Sequence, residues 1–138
     1  MQVTSHVYSV HIADTAAAHP GGSNMFFAGD PSEGMVIVDT GEHDRAWTRQ
    51  ILEGYEELGH PTITAIAITH GHSDHIGGLD RIFEVVQAPV RCHPKLVKRL
   101  AAVVGEENVV KLRAGERIPA GGDVSLRAIF TPGHDEDH

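Results

Sequence analysis

The segment Thr69-His70-Gly71-His72-Ser73-Asp74-His75-Ile76-Gly77-Gly78 packs three imidazoles and a carboxylate into six residues. Neutral imidazole and carboxylate ligands suit zinc, and also iron or manganese, so the chemistry on offer is that of a divalent metal site. In extended backbone, residues i and i+2 project to the same side roughly 6.5 Å apart, which lets His70 and His72 turn inward on one ion. A tight turn after them re-aims Asp74 and His75 at a neighbouring position, where a second ion is geometrically reasonable. Glycines 71, 77 and 78 let the backbone come close without side-chain clashes. At this chain's own His and Asp frequencies an H-x-H-x-D-H string arises in roughly 0.4% of shuffled sequences. A solvated polar turn would explain the polarity of the segment but not that spacing.

A second cluster closes the chain, where Thr131-Pro132-Gly133-His134-Asp135-Glu136-Asp137-His138 follows an expected strand. If that strand lies near the one ending at Thr69, their carboxyl ends meet in the crevice where α/β sheets usually hold ligands. His134 then completes a three-histidine site with His70 and His72. Such a site with an open fourth position would lower the pKa of a coordinated water to about 7 and supply hydroxide as the nucleophile. A second ion at Asp74 and His75 could polarise the scissile carbonyl or phosphoryl oxygen. Asp74 is the expected catalytic residue, orienting the attacking water and receiving its proton.

The elements that must position these groups are legible in the hydrophobic periodicity. Residues 3–12 alternate with period two and predict one strand, with Tyr8, Val10 and Ile12 on one face. A loop is expected over 16–24, from its Pro and Gly content, and residues 25–28 and 35–39 predict two further strands of a meander. From 43 to 59 the period changes: Trp47, Ile51, Tyr55 and Leu58 recur at three- and four-residue intervals, predicting an amphipathic helix ended by Gly59 and Pro61. The apolar run 64–69 predicts a strand buried on both faces, stopping at His70. A helix over 79–86, a short strand over 90–92, a helix over 94–104 and a strand over 123–130 complete the pattern, with 109–118 ambiguous. Strands followed by strand–helix alternation argue for an α/β layered sheet.

With those elements in place the chain resembles the metallo-β-lactamase superfamily, a hydrolase group that also contains glyoxalase II-like thioesterases and several ribonucleases. His70, His72, Asp74 and His75 fit its H-x-H-x-D-H motif, Thr131-Pro132-Gly133-His134 its T-P-G-H element, and Val38-Asp39-Thr40-Gly41 its upstream D-T-G. The resemblance implies that His70, His72 and His134 hold a first metal, that Asp74 and His75 hold a second, and that Asp39 stands behind the ligands. It implies a zinc-dependent hydrolase of an ester, thioester, lactam or phosphodiester, with one or two ions and with iron or manganese as substitutes. The alternatives are an iron oxygenase of the persulfide dioxygenase kind, or a metal-binding domain without full activity. The usual domain is a four-layer αββα sandwich that continues past T-P-G-H to a bridging aspartate and one further histidine. Residues 1–138 therefore read as one domain cut after that element, an N-terminal half with a mixed β-sheet and flanking helices. Its uncovered sheet face calls for the missing half or for a second copy of the chain.

Composition narrows the setting. The chain has 138 residues, 41% apolar, enough for a single cored domain. A formal charge of −8 with only 11 Lys and Arg offers no basic stripe for nucleic acid and favours a small-molecule substrate. No segment approaches the ~20 apolar residues of a membrane span, and the start carries no signal peptide. With Cys92 alone no internal disulfide forms, so a reducing cytoplasm is the expected compartment. Of the other histidines, His6, His11, His43 and His60 read as surface or capping residues. His19 and His93 read as loop residues, with a place at the substrate mouth as the alternative, and His138 as a frayed end. Cys92 reads as a small buried apolar group.

Overall fold

A computed structural model describes residues 1–13 and 20–138. Of the expected loop, residues 16–19, and with them His19, lie outside the described residues; Pro20 and Gly21 form a turn and Ser23 already opens a strand. Seven strands stand in the sheet in the order in which they occur in sequence. The first four, β1 (Gln2–Thr4), β2 (Val7–Ile12), β3 (Ser23–Asp30) and β4 (Gly34–Val38), form an antiparallel meander. Next come β5 (Ile63–Ala67), β6 (Val90–Cys92) and β7 (Val109–Lys111), parallel to β4 and to one another.

Parallel neighbours need crossovers, and a sheet that grows in one direction by right-handed crossovers puts every crossover helix on the same face. Those helices are α1 (Arg45–Glu57), α3 (Leu79–Val86) and α4 (Val97–Val104); a single turn, α2 (Ser73–Ile76), precedes α3. Ile51, Leu79, Ile82 and Leu100 of the helices pack against Met35, Ile37, Ile66 and Ile68 of the sheet. The alternate residues of β4 and β5, Val36, Val38, Ala65 and Ala67, point to the opposite face. There they meet Ile118, Ala120, Val124 and Leu126 of a separate hairpin, β8 (Arg117–Gly121) and β9 (Val124–Arg127). The expected architecture is the one formed: a helical layer on one face of a mixed sheet, and two strands of a second β layer on part of the other.

Two expectations change and two are sharpened. Residues 3–12 are not one strand but two, folded back at Ser5-His6, where the His6 N–H donates to the Thr4 hydroxyl at 3.2 Å. Period-two alternation survives a two-residue turn, and neither Gly nor Pro marks this one. The turn after His72 is helical. The last strand ends at Arg127, not at 130, and it pairs in the hairpin, outside the sheet that holds β5. The ambiguous stretch 109–118 contains β7 and the start of β8. The hairpin covers only part of its sheet face. An apolar cavity of about 410 Å³ remains beside it, lined by Val38, Ala67, Leu112, Ile118, Leu126 and Phe130 among others.

Candidate metal centre

Two parallel strand ends build the floor of the site. Where β4 ends, Asp39 takes the left-handed conformation, φ +66°, which turns its buried carboxylate toward the end of β5. The Thr69 N–H donates to Asp39 Oδ1 at 2.8 Å and the Thr69 hydroxyl donates to Oδ2 at 2.7 Å. That hydroxyl has one proton and has spent it, so it accepts from His70 Nδ1, 2.9 Å away. His70 is thereby held in the Nδ1–H tautomer with the Nε2 lone pair facing His72 Nδ1 at 3.0 Å. Asp39 Oδ2 also lies 2.6 Å from His75 Nδ1, leaving His75 Nε2 toward Asp74 Oδ2 at 3.4 Å. One carboxylate behind the site thus sets two imidazoles, one of them through Thr69.

The helical turn α2 re-aims Asp74 and His75. Ser23 at the start of β3 donates its hydroxyl to Asp74 Oδ2 at 2.5 Å. The turn is seated against residues 40–43: the Thr40 N–H donates to the His75 carbonyl at 2.8 Å, and the His43 ring nitrogen Nδ1 is 2.9 Å from the Gly77 carbonyl. The approach is so close that a Cβ on Gly78 would fall 2.3 Å from the Thr40 carbonyl oxygen. His43, expected as a surface or capping group, is exposed and ties this loop down as well.

From the other side, residues 131–138 fold back, with the Thr131 N–H donating to the His138 carbonyl at 3.0 Å. This brings the His134 ring to 4.8 Å, centroid to centroid, from both His70 and His72. One ligand atom from each of His70, His72 and His134 lies within 4.8 Å of the others, the group among the described residues that could hold a metal ion. A tetrahedral ion would draw such nitrogens to roughly 3.3 Å apart; His72 and His134, both exposed, have room to turn. Asp74 and His75 form an adjacent pair, with the His75 ring 4.2 Å from that of His70.

At the centre the buried imidazole of His70 is held in its neutral form, the form that can ligate. Burial, then the neighbouring His75, push His70 down to about 4, so its ring is neutral at neutral pH. Burial would lower His75 too, but the hydrogen bond and charge of Asp39, with Asp74, raise it on balance. The donor set is therefore imidazole and carboxylate throughout, with a buried, neutral His70 at its base, and it fits a divalent ion.

Two residues outside the expected set stand at the site. His138 is not a frayed end: its ring is 4.8 Å from that of His70 and its Nδ1 is 2.8 Å from the Thr131 hydroxyl. Asp135 Oδ2 lies 3.1 Å from His72 Nε2. The signal for both was the density of Asp and His after Gly133, which spacing rules do not weigh. His93 lines the apolar cavity and packs at a tilt of 32° on Phe130, with ring centroids 5.3 Å apart. Cys92 is buried as expected, its thiol pushed up to about 11 by that burial. His6, His11 and His60 are exposed, as expected.

Comparisons with known proteins bear on the family and the fold. A family model described as the metallo-beta-lactamase superfamily matches residues 18–138. The lactamase-like protein vrtG of Penicillium aethiopicum is 29% identical over 135 residues, 94% of this chain and 41% of that protein. An atrochrysone carboxyl ACP thioesterase of Pseudocercospora fijiensis is 29% identical over 117 residues, 85% of this chain and 32% of that protein. Among solved structures, a motif variant of a metallo-beta-lactamase from Cronobacter sakazakii superposes with a TM-score of 0.77 at 24% identity. That superposition covers 99% of this chain and 56% of the other. The chain thus spans about two fifths or less of the length of these two relatives, and about half of that structure.

Proposed function

The chain belongs to the metallo-beta-lactamase superfamily, and from that premise we propose that it carries the metal-binding part of a hydrolase acting on a small ester, thioester, lactam or phosphodiester. The observation that carries the reading is the convergence of one nitrogen each from His70, His72 and His134 within 4.8 Å, from strand ends about sixty residues apart in sequence. These three would hold a first divalent ion, zinc by the softness and geometry of the donors, and Asp74 with His75 a second. Bound there, the metal supplies Lewis acidity toward the scissile group and lowers the pKa of water.

The chain's own residues do the rest. Asp39 and Thr69 hold His70 and His75 in fixed tautomers, so each offers one defined nitrogen. Asp74, kept in place by the Ser23 hydroxyl, orients the attacking water and takes up its proton. No side chain has to act as a covalent nucleophile. Among the substrate classes, the thioesterase relative favours an acyl thioester. We further propose that residues 1–138 are one part of a larger domain, the open face of the sheet being covered by a second β layer in the active molecule.

The test is metal content and hydrolysis together. Protein purified without added metal is analysed for zinc, iron and manganese. It is then assayed on acyl thioesters, esters and phosphodiesters with and without zinc, alone and as a longer chain extending past residue 138. The account expects bound zinc and zinc-dependent hydrolysis in the longer chain, both lost in His70→Ala and His134→Ala. Hydrolysis that persists undiminished in those two variants contradicts it; one iron with oxygen consumption assigns the site to an oxygenase.

A further inference from the structure

The outer nitrogen of His72 has a partner that the family pattern did not call for. His70 and His75 are oriented from behind by Asp39, one through Thr69 and one directly. His72 lies beyond that system, more exposed than either, and without an orienting group its ring could flip and offer either nitrogen. Asp135 Oδ2 lies 3.1 Å from His72 Nε2. The carboxylate is itself fixed, because its other oxygen, Oδ1, accepts from the Glu136 N–H at 2.7 Å. The Gly133 N–H donates to the Asp135 carbonyl at 3.2 Å, closing the turn that also carries His134.

We propose that Asp135 is a positioning residue for the metal centre: its carboxylate charge, 3.1 Å from His72 Nε2, favours the proton on that nitrogen and so the tautomer whose Nδ1 lone pair faces His70 Nε2. A carboxylate behind a ligating imidazole fixes its orientation and raises its basicity, and loss of such a partner typically costs 10–100-fold in metal affinity. Asp135 also ties the two halves of the site together. It sits next to His134 in sequence and contacts His72 in space, so the turn that delivers the third imidazole also orients the second. The proposal rests on the metal-site reading above and deepens it.

The experiment measures zinc affinity by competition with a chelator for the wild-type chain, Asp135→Ala and Asp135→Glu, with thermal melts of the metal-free proteins as a fold control. In parallel, nitrogen-15 NMR of histidine-labelled, zinc-loaded wild type reads which His72 nitrogen carries the proton. The proposal expects a 10–100-fold loss of affinity in Asp135→Ala at unchanged stoichiometry, partial recovery in Asp135→Glu, and a proton on His72 Nε2. Equal affinity in wild type and Asp135→Ala, or a proton on Nδ1 with the metal on Nε2, overturns it. If Asp135→Ala fails to fold, the NMR result on the wild type decides alone. Should the wild-type chain bind no zinc, the metal-site reading falls and this proposal with it; tight wild-type binding indifferent to Asp135 sinks this proposal only.

Discussion

At the scale of single residues, the carboxylate of Asp39 has the most attached to it. It is buried, accepts from the N–H and hydroxyl of Thr69, and faces His75 Nδ1 at 2.6 Å. Asp39→Ala strands those donors and places alanine at φ +66°, where it is strained. A loss on the order of 3 kcal/mol in denaturant unfolding is expected, with metal affinity lowered as well. Asp39→Asn, which tolerates the left-handed conformation and can still accept, is expected to lose less stability. His70 gives a pH signature in metal-free protein. Its folded pKa of about 4 lies below the ordinary 6.5, so between those values the unfolded chain binds a proton that the folded chain refuses. Its contribution is therefore present above pH 6.5 and lost as pH falls toward 4. Melting temperatures recorded across that window should decline, and should decline less steeply in His70→Gln; equal slopes contradict the assignment. The ligand-type residues were legible because their chemistry is local and their spacing dense. Asp135 and His138 were not, because what brings them to His72 and His70 is the fold-back of 131–138, a conformation that no periodicity records.

At the scale of elements, positions with strong periodicity were read well: the helix Leu79–Val86 and the strand Val90–Cys92 fall where the apolar pattern put them. The failures share a cause. A strand pattern gives the face of each residue but not the continuity of the chain, so the turn at Ser5-His6 was invisible. Nor does it give the sheet to which a strand belongs, so the pairing of β9 with β8 in a separate hairpin was not legible. The one-turn helix α2 is held by tertiary contact more than by propensity, being seated on residues 40–43. This separates two kinds of variant. Ile51→Ala in α1 removes a side chain with no exposure from the helix–sheet core and should cost about 2–5 kcal/mol while leaving zinc affinity unchanged. Gly78→Ala pushes a methyl into the Thr40 carbonyl, 2.3 Å from its Cβ position. It should cost about 1–3 kcal/mol and weaken zinc binding as well, by displacing Asp74 and His75. Calorimetric melts with chelator competition distinguish them; a Gly78→Ala chain that binds zinc like wild type would show that the seating of α2 does not set the site.

At the scale of the whole molecule, the sheet carries a complete helical layer on one face and a single hairpin on the other. Ile129 is 71% exposed and Phe130 48%, at the mouth of the apolar cavity. Monomers seldom leave a contiguous apolar face in water. The chain by itself is therefore expected to self-associate through that face, with sedimentation velocity showing dimers that the double substitution Ile129→Asp and Phe130→Asp returns to monomer. A monomer at all concentrations would contradict this. No described helix is long and apolar enough to cross a membrane, in line with the sequence. The central claim remains that distant strand ends share an ion, and zinc-loaded crystals measured at the zinc absorption edge test it most directly. The account predicts an anomalous peak at roughly 2.0–2.1 Å from His70 Nε2, from His72 Nδ1 and from a ring nitrogen of His134. A peak bound elsewhere, or none with His134 turned away from the other two rings, would contradict it.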